Sequence, residues 1–308
     1  MISLIIPVYN EEAMLPKLLS RLADVGREIG PHEILFVNDG SRDATSRMIT
    51  DEIRRRTPAD PPMRLVSFTR NFGHQVALSA GLDHATGEAV VILDGDLQDP
   101  PELIREFIAK WRAGADIVYA VRKRRQESLL KRFCYKAFYR LLQSLTDVRI
   151  PLDSGDFCLM DRKVVDAIRA MPEHTRFLRG LRAWTGFPSV GVEYDRGARE
   201  AGETKYSFRK LLRLALDGIV SFSTVPLKLS IYLGFFISLV SVFAAAVILW
   251  LKLYYGSTPQ GWASLMVIAF FLGGVQLFVL GIMGEYLARI TTEVRGRPLY
   301  IVGKKEGF

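Results

Sequence analysis

Two uncharged apolar runs, residues 229–251 and 263–284, constrain this chain more than anything else in it. They hold 23 and 22 residues. At about 1.5 Å of rise per residue, each reaches across a hydrocarbon core of about 30 Å as a helix. A wholly water-soluble fold and a disordered chain are both poor readings of such a pattern. The loop between the runs carries one basic residue at its edge, Lys252, whereas Arg289, Arg295, Arg297, Lys304 and Lys305 follow the second run. The positive-inside rule therefore expects that tail in the cytoplasm, and two crossings return the N-terminal part to the same side. Trp250, Tyr254, Tyr255 and Trp262 crowd the outer loop as interfacial anchors.

The first two hundred residues are patterned differently. Residues 2–8 form a short apolar run ending in Pro7-Val8-Tyr9-Asn10-Glu11-Glu12, which reads as a buried strand rather than a cleavable leader. Further strand candidates at 34–37, 64–68, 89–93 and 117–120 alternate with helical stretches at 12–25, 41–56, 76–85 and 101–113. This alternation predicts an α/β domain with a mostly parallel sheet covered on both faces. From residue 122 the character shifts. Residues 122–140 hold eight basic side chains against the single acid Glu127, with leucines and aromatics interleaved. Residues 205–216 repeat that mixture. Both segments read as amphipathic helices lying on an anionic membrane surface, with a solvated helix face as the plainer alternative. The formal charge of +8 also admits nucleic-acid binding, but no recognition motif accompanies it. Cys134 and Cys158 are the only cysteines, and the four histidines lack zinc-binding spacing, so disulfide and zinc scaffolds are set aside.

The chemistry concentrates in Val91-Ile92-Leu93-Asp94-Gly95-Asp96-Leu97-Gln98-Asp99-Pro100. An apolar strand delivers two carboxylates, two positions apart, to its C-terminal end, where open parallel sheets bind ligands. Such a pair repels unless a cation intervenes, and oxygen ligands suit Mg²⁺ or Mn²⁺ with phosphate oxygens completing the shell. An Asp-x-Asp alone is weak, because turns use Asp freely. Here two further strand ends, Tyr9-Asn10-Glu11 and Asn38-Asp39-Gly40-Ser41, are expected on the same edge. Tyr9 is placed to lie against a base and Asp39 to accept its imide proton. Asn10 and Glu11 also admit a plain reading as helix caps.

This ordered set resembles the family-two glycosyltransferases of GT-A fold, and within them the polyprenyl-phosphate glycosyltransferases, which include dolichol-phosphate mannose synthases and bactoprenol glucosyltransferases. The resemblance runs nearly end to end. It takes in Phe68-Thr69-Arg70-Asn71-Phe72-Gly73-His74-Gln75, Asp94–Pro100, Gly155-Asp156-Phe157, Trp184-Thr185-Gly186-Phe187 and Gly202-Glu203-Thr204-Lys205-Tyr206-Ser207. Asp94-Gly95-Asp96 departs from the commoner Asp-Ala-Asp, and Thr204 stands where Ser is common. The resemblance implies a Rossmann-like GT-A domain over 1–204 with an interface helix near 126–145. It also implies a juxtamembrane amphipathic helix at 205–228, two transmembrane helices within 229–288 and a cytoplasmic tail at 289–308. It implies a donor pocket of Pro7, Tyr9, Asn10, Glu11, Asp39 and Asp94, with Asp96 and Gln98 holding Mg²⁺ or Mn²⁺. Asp156 would stand beside the reacting centre with Asp94, as a base or to orient the acceptor. Arg122, Arg132, Arg199 and Lys205 would receive the lipid phosphate.

The expected activity is inverting transfer of a sugar, glucose from UDP-glucose by preference, to undecaprenyl or another polyprenyl phosphate. The product is a lipid-linked sugar for later transfer to a glycan. A GDP-mannose enzyme, or an inactive membrane partner of the same fold, are the alternatives. Gly273, Gly274, Gly281 and Gly284 offer close-packing positions for a homo-oligomer, or are merely tolerated membrane glycines.

Overall fold

The computed structural model describes residues 1–122, 154–174, 176–195, 225–255 and 261–308. The interface helix expected near 126–145, residues 205–224 of the juxtamembrane helix expected at 205–228, and Arg132, Arg199 and Lys205 lie outside them. The chain divides into two compact units, one holding the N-terminal sheet together with residues 297–308, the other holding the two long C-terminal helices.

Among the described residues eight strands form one sheet: β1 (Ile2–Val8), β2 (His32–Asn38), β3 (Met63–Phe68), β4 (Ala89–Ile92), β5 (Ile117–Arg122), β6 (Ser154–Asp161), β7 (Ser189–Tyr194) and β8 (Val302–Glu306). Their spatial order is β7-β5-β6-β4-β1-β2-β3-β8. β1 is parallel to β2 and β4, β2 to β3, and β5 to β7. All seven residues of β1 are buried, as a central strand covered on both faces requires. The helices are α1 (Leu15–Ile29), α2 (Thr45–Arg55), α3 (His74–His84), α4 (Ile104–Arg112), α5 (Arg162–Arg169) and α6 (Leu178–Trp184). α1 buries Leu15, Leu18, Leu22, Val25 and Ile29, a stripe of three- and four-residue steps. That stripe packs with Leu4, Ile6, Phe36 and Val91 on one face of the sheet. α3 covers β1 and β2 with small residues, and it comes so close that a Cβ on Gly81 would overlap Ile5.

The sheet is mixed rather than nearly parallel. β6 runs antiparallel between β4 and β5, and β8 runs antiparallel on the outer side of β3. Backbone pairing, not the order of elements along the chain, selects these neighbours, so alternation alone does not reveal them. Residues read from the sequence as a tail thus complete the sheet.

The second unit contains α7 (Val225–Tyr255) and α8 (Trp262–Arg295). α8 ends at Gly296, whose φ of 56° gives the left-handed turn glycine supplies at no steric cost. Among the described residues one stretch, Val267–Arg295, is long and apolar enough to cross a membrane, and α7 carries a shorter apolar stretch at Ser230–Ala244. Ile231, Phe235, Phe243 and Leu277 lie exposed on these helices, apolar surface that water does not stabilise.

Candidate active site

Parallel strands bring their C-terminal ends to one edge of the sheet, and antiparallel strands bring their N-terminal ends there. That edge therefore collects Tyr9 after β1, Asn38 and Asp39 at the end of β2, Asp94 after β4, Arg122 at the end of β5 and Tyr194 at the end of β7. The antiparallel sense of β6 adds Asp156. Its register, with Cys158 opposite Ile92 and Ser154 opposite Val121, sets that carboxylate between the ends of β4 and β5.

The β1–β3 side of the edge is held by hydrogen bonds from backbone N–H groups to polar side chains. The Asn10 backbone N–H donates to Ser41 Oγ (3.0 Å), and Asn10 Oδ1 accepts from the Arg42 N–H (2.9 Å). Ser41 N–H in turn donates to Asn38 Oδ1 (3.0 Å), and Glu11 N–H donates to Thr45 Oγ1 (2.9 Å). Asn10 has a φ of 54°, a strained conformation for a residue with a Cβ, and its latch to Arg42 supports it. The helix-cap reading of Asn10 and Glu11 does not hold, because α1 starts only at Leu15 and its N-cap position is Met14. Pro7 sits within β1 opposite Val37, beyond the last β1 residue that pairs with β4.

Asp39 is buried, and its two oxygens accept the backbone N–H groups of Phe72 (2.6 Å) and Gly73 (3.0 Å). Burial raises its pKa, against the opposing pull of those two donors. Its contacts thus fix the turn that opens α3. Tyr9, 38% exposed, lines a cavity of about 420 Å³ with Asn38, Ser41, Arg70, Asn71 and Lys304.

The β4–β6 side is held by charge. Asp156, 7% exposed, takes a bidentate pair from Arg179 on α6, with Nε to Oδ1 at 2.8 Å and Nη2 to Oδ2 at 3.0 Å. Gln75 Nε2 donates to Asp156 Oδ2 (3.2 Å), while Gln75 Oε1 accepts the Leu178 N–H that opens α6 (3.0 Å). His74 Nε2 lies 3.4 Å from Asp156 Oδ2 and 3.6 Å from Asp94 Oδ1. Burial alone would raise the Asp156 pKa, but the Arg179 charge and the His74 and Arg179 hydrogen bonds outweigh it and hold the carboxyl well below the usual range. Burial works against a charged His74, yet Asp156 and Asp94 raise its pKa from 6.5 to about 9. Asp94 is pushed up to about 6 by burial; His74 opposes the shift, and the carboxylates of Asp156, Asp99 and Asp96 add to it.

Asp94 Oδ1 is a buried oxygen that accepts no hydrogen bond among the described residues. A crowd of carboxylates around Asp94, whose charges help to raise its pKa, with an oxygen left over, fits a hard divalent cation and a diphosphate. Among the described residues no three His, Cys, Asp or Glu side chains form a ready cage, so any ion would draw ligands from elsewhere. The turn carrying these groups is tight. Leu97 has a φ of 55°, and Gln98 N–H closes onto Asp96 Oδ1 (3.1 Å). A Cβ on Gly95 would stand 3.2 Å from Pro7 O and from Val8 Cγ1, so a larger residue there would make its neighbours give by a few tenths of an ångström. Arg122 Nε points to Tyr194 Oη (3.4 Å), which donates to Asp99 Oδ1.

The strand-end pattern in the sequence points Tyr9, Asp39, Asp94 and Asp96 to one edge, and the resemblance adds Asp156, but neither signals Arg179 or the structural duties of His74 and Gln75. The latter two stood at the end of the Phe68–Gln75 string. Arg179 carries no local signal, being one of two arginines on a short helix.

The family model for glycosyl transferase family 2 matches residues 3–169. The chain is 44% identical to the SfII prophage-derived bactoprenol glucosyl transferase of Shigella flexneri, over 98% of this chain and 97% of that protein. It is 42% identical to a prophage bactoprenol glucosyl transferase homolog of Escherichia coli over 98% of each, and 47% identical to an uncharacterized glycosyltransferase, YkcC, of Bacillus subtilis over 99% and 94%. Among solved structures, a mannosyltransferase from Pyrobaculum calidifontis in complex with GDP-Man and Mn²⁺ shares the fold, with a TM-score of 0.52 at 19% identity over 96% of this chain and 88% of that one. Its sheet architecture, its strand-end carboxylates and these relatives agree: the chain belongs to glycosyl transferase family 2.

Proposed function

We propose that this chain is a membrane-bound, inverting glycosyltransferase that moves glucose from UDP-glucose to a polyprenyl phosphate such as undecaprenyl phosphate. The names of its relatives at 42–44% identity support the acceptor and the sugar. The observation that carries the reading is the meeting of Asp94 with the Asp156–Arg179–His74 group at the end of β4. In this reading α7 and α8 both span the bilayer, and the sheet-bearing unit and the C-terminus are cytoplasmic.

Tyr9, Asn10, Glu11 and Asp39 shape the donor end, beside Pro7. Asp96 and Gln98, next to Asp94, would hold Mg²⁺ or Mn²⁺, which when bound supplies positive charge to the diphosphate. The acceptor phosphate is already largely dianionic near neutral pH, its second pKa being about 6, so it needs positioning more than deprotonation. Asp156 serves that task through its partners, fixing the Arg179 guanidinium and the His74 imidazole. A carboxylate stabilised this strongly is a poor proton acceptor, so it suits positioning better than base catalysis. Arg122, with Arg132, Arg199 and Lys205, offsets the repulsion between two phosphate groups.

The test uses purified full-length protein in detergent with undecaprenyl phosphate and Mg²⁺ or Mn²⁺. UDP-glucose, UDP-GlcNAc, UDP-galactose and GDP-mannose are offered separately, and nucleoside diphosphate release is followed with labelled lipid product. Turnover of UDP-glucose that requires both lipid and metal is expected. Turnover of GDP-mannose alone would replace the donor, and lipid-independent hydrolysis would remove the acceptor assignment.

A further inference from the structure

The cavity beside Tyr9 has a wall that no strand-end motif supplies. Gly303 and Lys304 of β8 line it together with Phe68, Thr69, Arg70 and Asn71. β8 is built firmly into place. It pairs antiparallel with β3, the Thr69 N–H donates to Ile301 O (3.1 Å), and Tyr300 stacks on Phe68 with centroids 5.0 Å apart while its hydroxyl donates to Asp83 (2.9 Å). Glu306 lies two residues past Lys304, so it shares that face of the strand, and its Oε1 sits 2.7 Å from Lys304 Nζ. Lys305 points to the opposite face, with its ammonium over the Phe308 ring.

We propose that Lys304 is a specificity residue for the nucleoside end of the donor, its ammonium donating to a carbonyl oxygen of the base. The inference rests on reading this cavity as the donor pocket. The sheet order puts β8 four strand positions from β4. At about 4.8 Å per strand that is about 19 Å from the Asp94 turn, too far for a lysine to serve a diphosphate held there. Asp39 is a hydrogen-bond acceptor and cannot donate to a base carbonyl, so that donor comes from another element. Uracil and guanine both present carbonyl acceptors to such a cation, whereas adenine presents none. The C-terminal strand, reached through residues 296–301 from α8, thus belongs to substrate recognition and not only to the sheet.

The experiment measures binding of UDP, UMP and ADP to the full-length protein in detergent, comparing Lys304→Ala, Lys304→Arg and Lys305→Ala. Lys304→Ala is expected to weaken UDP about tenfold, the scale of one charge-assisted hydrogen bond to a half-exposed group. It should weaken UMP by the same factor and leave the already weak ADP unchanged. Lys304→Arg should recover most of the loss, and Lys305→Ala, which removes the same charge from the same strand, should change UDP affinity less than twofold. Equal losses in Lys304→Ala and Lys305→Ala would overturn the proposal in favour of general charge attraction. A loss that shrinks from UDP to UMP would place the lysine on the phosphates and overturn it as well. Wild-type protein that binds none of the three nucleotides would overturn the donor-pocket reading and this inference with it. Wild-type binding with no effect of Lys304→Ala overturns the inference alone.

Discussion

The two sides of the strand-end edge are held by different forces. From β1 to β3, loops are latched by backbone N–H groups that donate to Asn10, Asn38, Ser41 and Thr45, each bond worth on the order of 1 kcal/mol, and to the carboxylates of Glu12, Asp39 and Asp43, with no ion pair among these partners. From β4 to β6, a buried carboxylate is balanced against Arg179, His74 and Gln75. The first arrangement sets shape and tolerates loss of single members. The second stores charge, and removal of one partner leaves another uncompensated in a poorly solvated place. Under the proposed function, the first suits a donor pocket, which needs shape, and the second a centre where phosphates meet, which needs charge.

The largest effect that sharpens this contrast is expected at Asp96. Asp96→Ala should lower kcat about a thousandfold, the several kcal/mol that a metal contributes to charge stabilisation, with little change in melting temperature. Release of nucleoside diphosphate measures it, and near-normal metal-dependent turnover would remove the site assignment.

Next comes Arg179→Ala, expected to cost about 3 kcal/mol in denaturant unfolding, because Asp156 is then buried without its bidentate partner. Arg179→Lys should recover only part, since an ammonium cannot form the fork. A loss no larger than that of a single backbone latch would erase the difference between the two sides.

Asp39→Asn should cost about 2 kcal/mol, since the amide sets an N–H against one of the two backbone donors it replaces. Weaker nucleotide binding should accompany it as the turn before α3 loosens. Unchanged stability with lost nucleotide affinity would instead assign Asp39 to the base.

The smallest effect concerns pH. The folded-state pKa of His74 is raised from 6.5 to about 9, so the stability it contributes is fully present below pH 6.5 and is lost as the pH rises toward 9. Its side chain is 45% exposed and water screens the pairing, so a melting-temperature fall of about 2 °C across that range is expected in metal-free protein. His74→Gln should lack that fall, and an identical profile in the variant would assign the limb to another group.

Much of the β1–β4 architecture was legible beforehand. Residues 2–8 were read as a strand and are β1, and the expected strand at 64–68 falls within β3. Short apolar runs ended by turn residues carry their own signal. Helix starts were less legible: α1 begins at Leu15 and not at residue 12, because Glu11 and Glu12 are engaged by Thr45, Asp43 and Ala44 across the loop. β8 was not legible at all, as Val302–Glu306 carries adjacent lysines and little apolar content, and its strand character comes from pairing with β3.

By itself the sequence determined the α/β class of the first half, the apolar character of the C-terminal helices and the aspartates at the end of β4. Each of these is written in neighbouring residues, as a period, a run or a spacing. Only the tertiary structure decided that β6 enters antiparallel and delivers Asp156, that Arg179 meets it across 23 residues of chain, and that Lys304 closes the cavity beside Tyr9. Those choices depend on which strand edges and buried charges find one another in the folded chain, and no local pattern of residues records that.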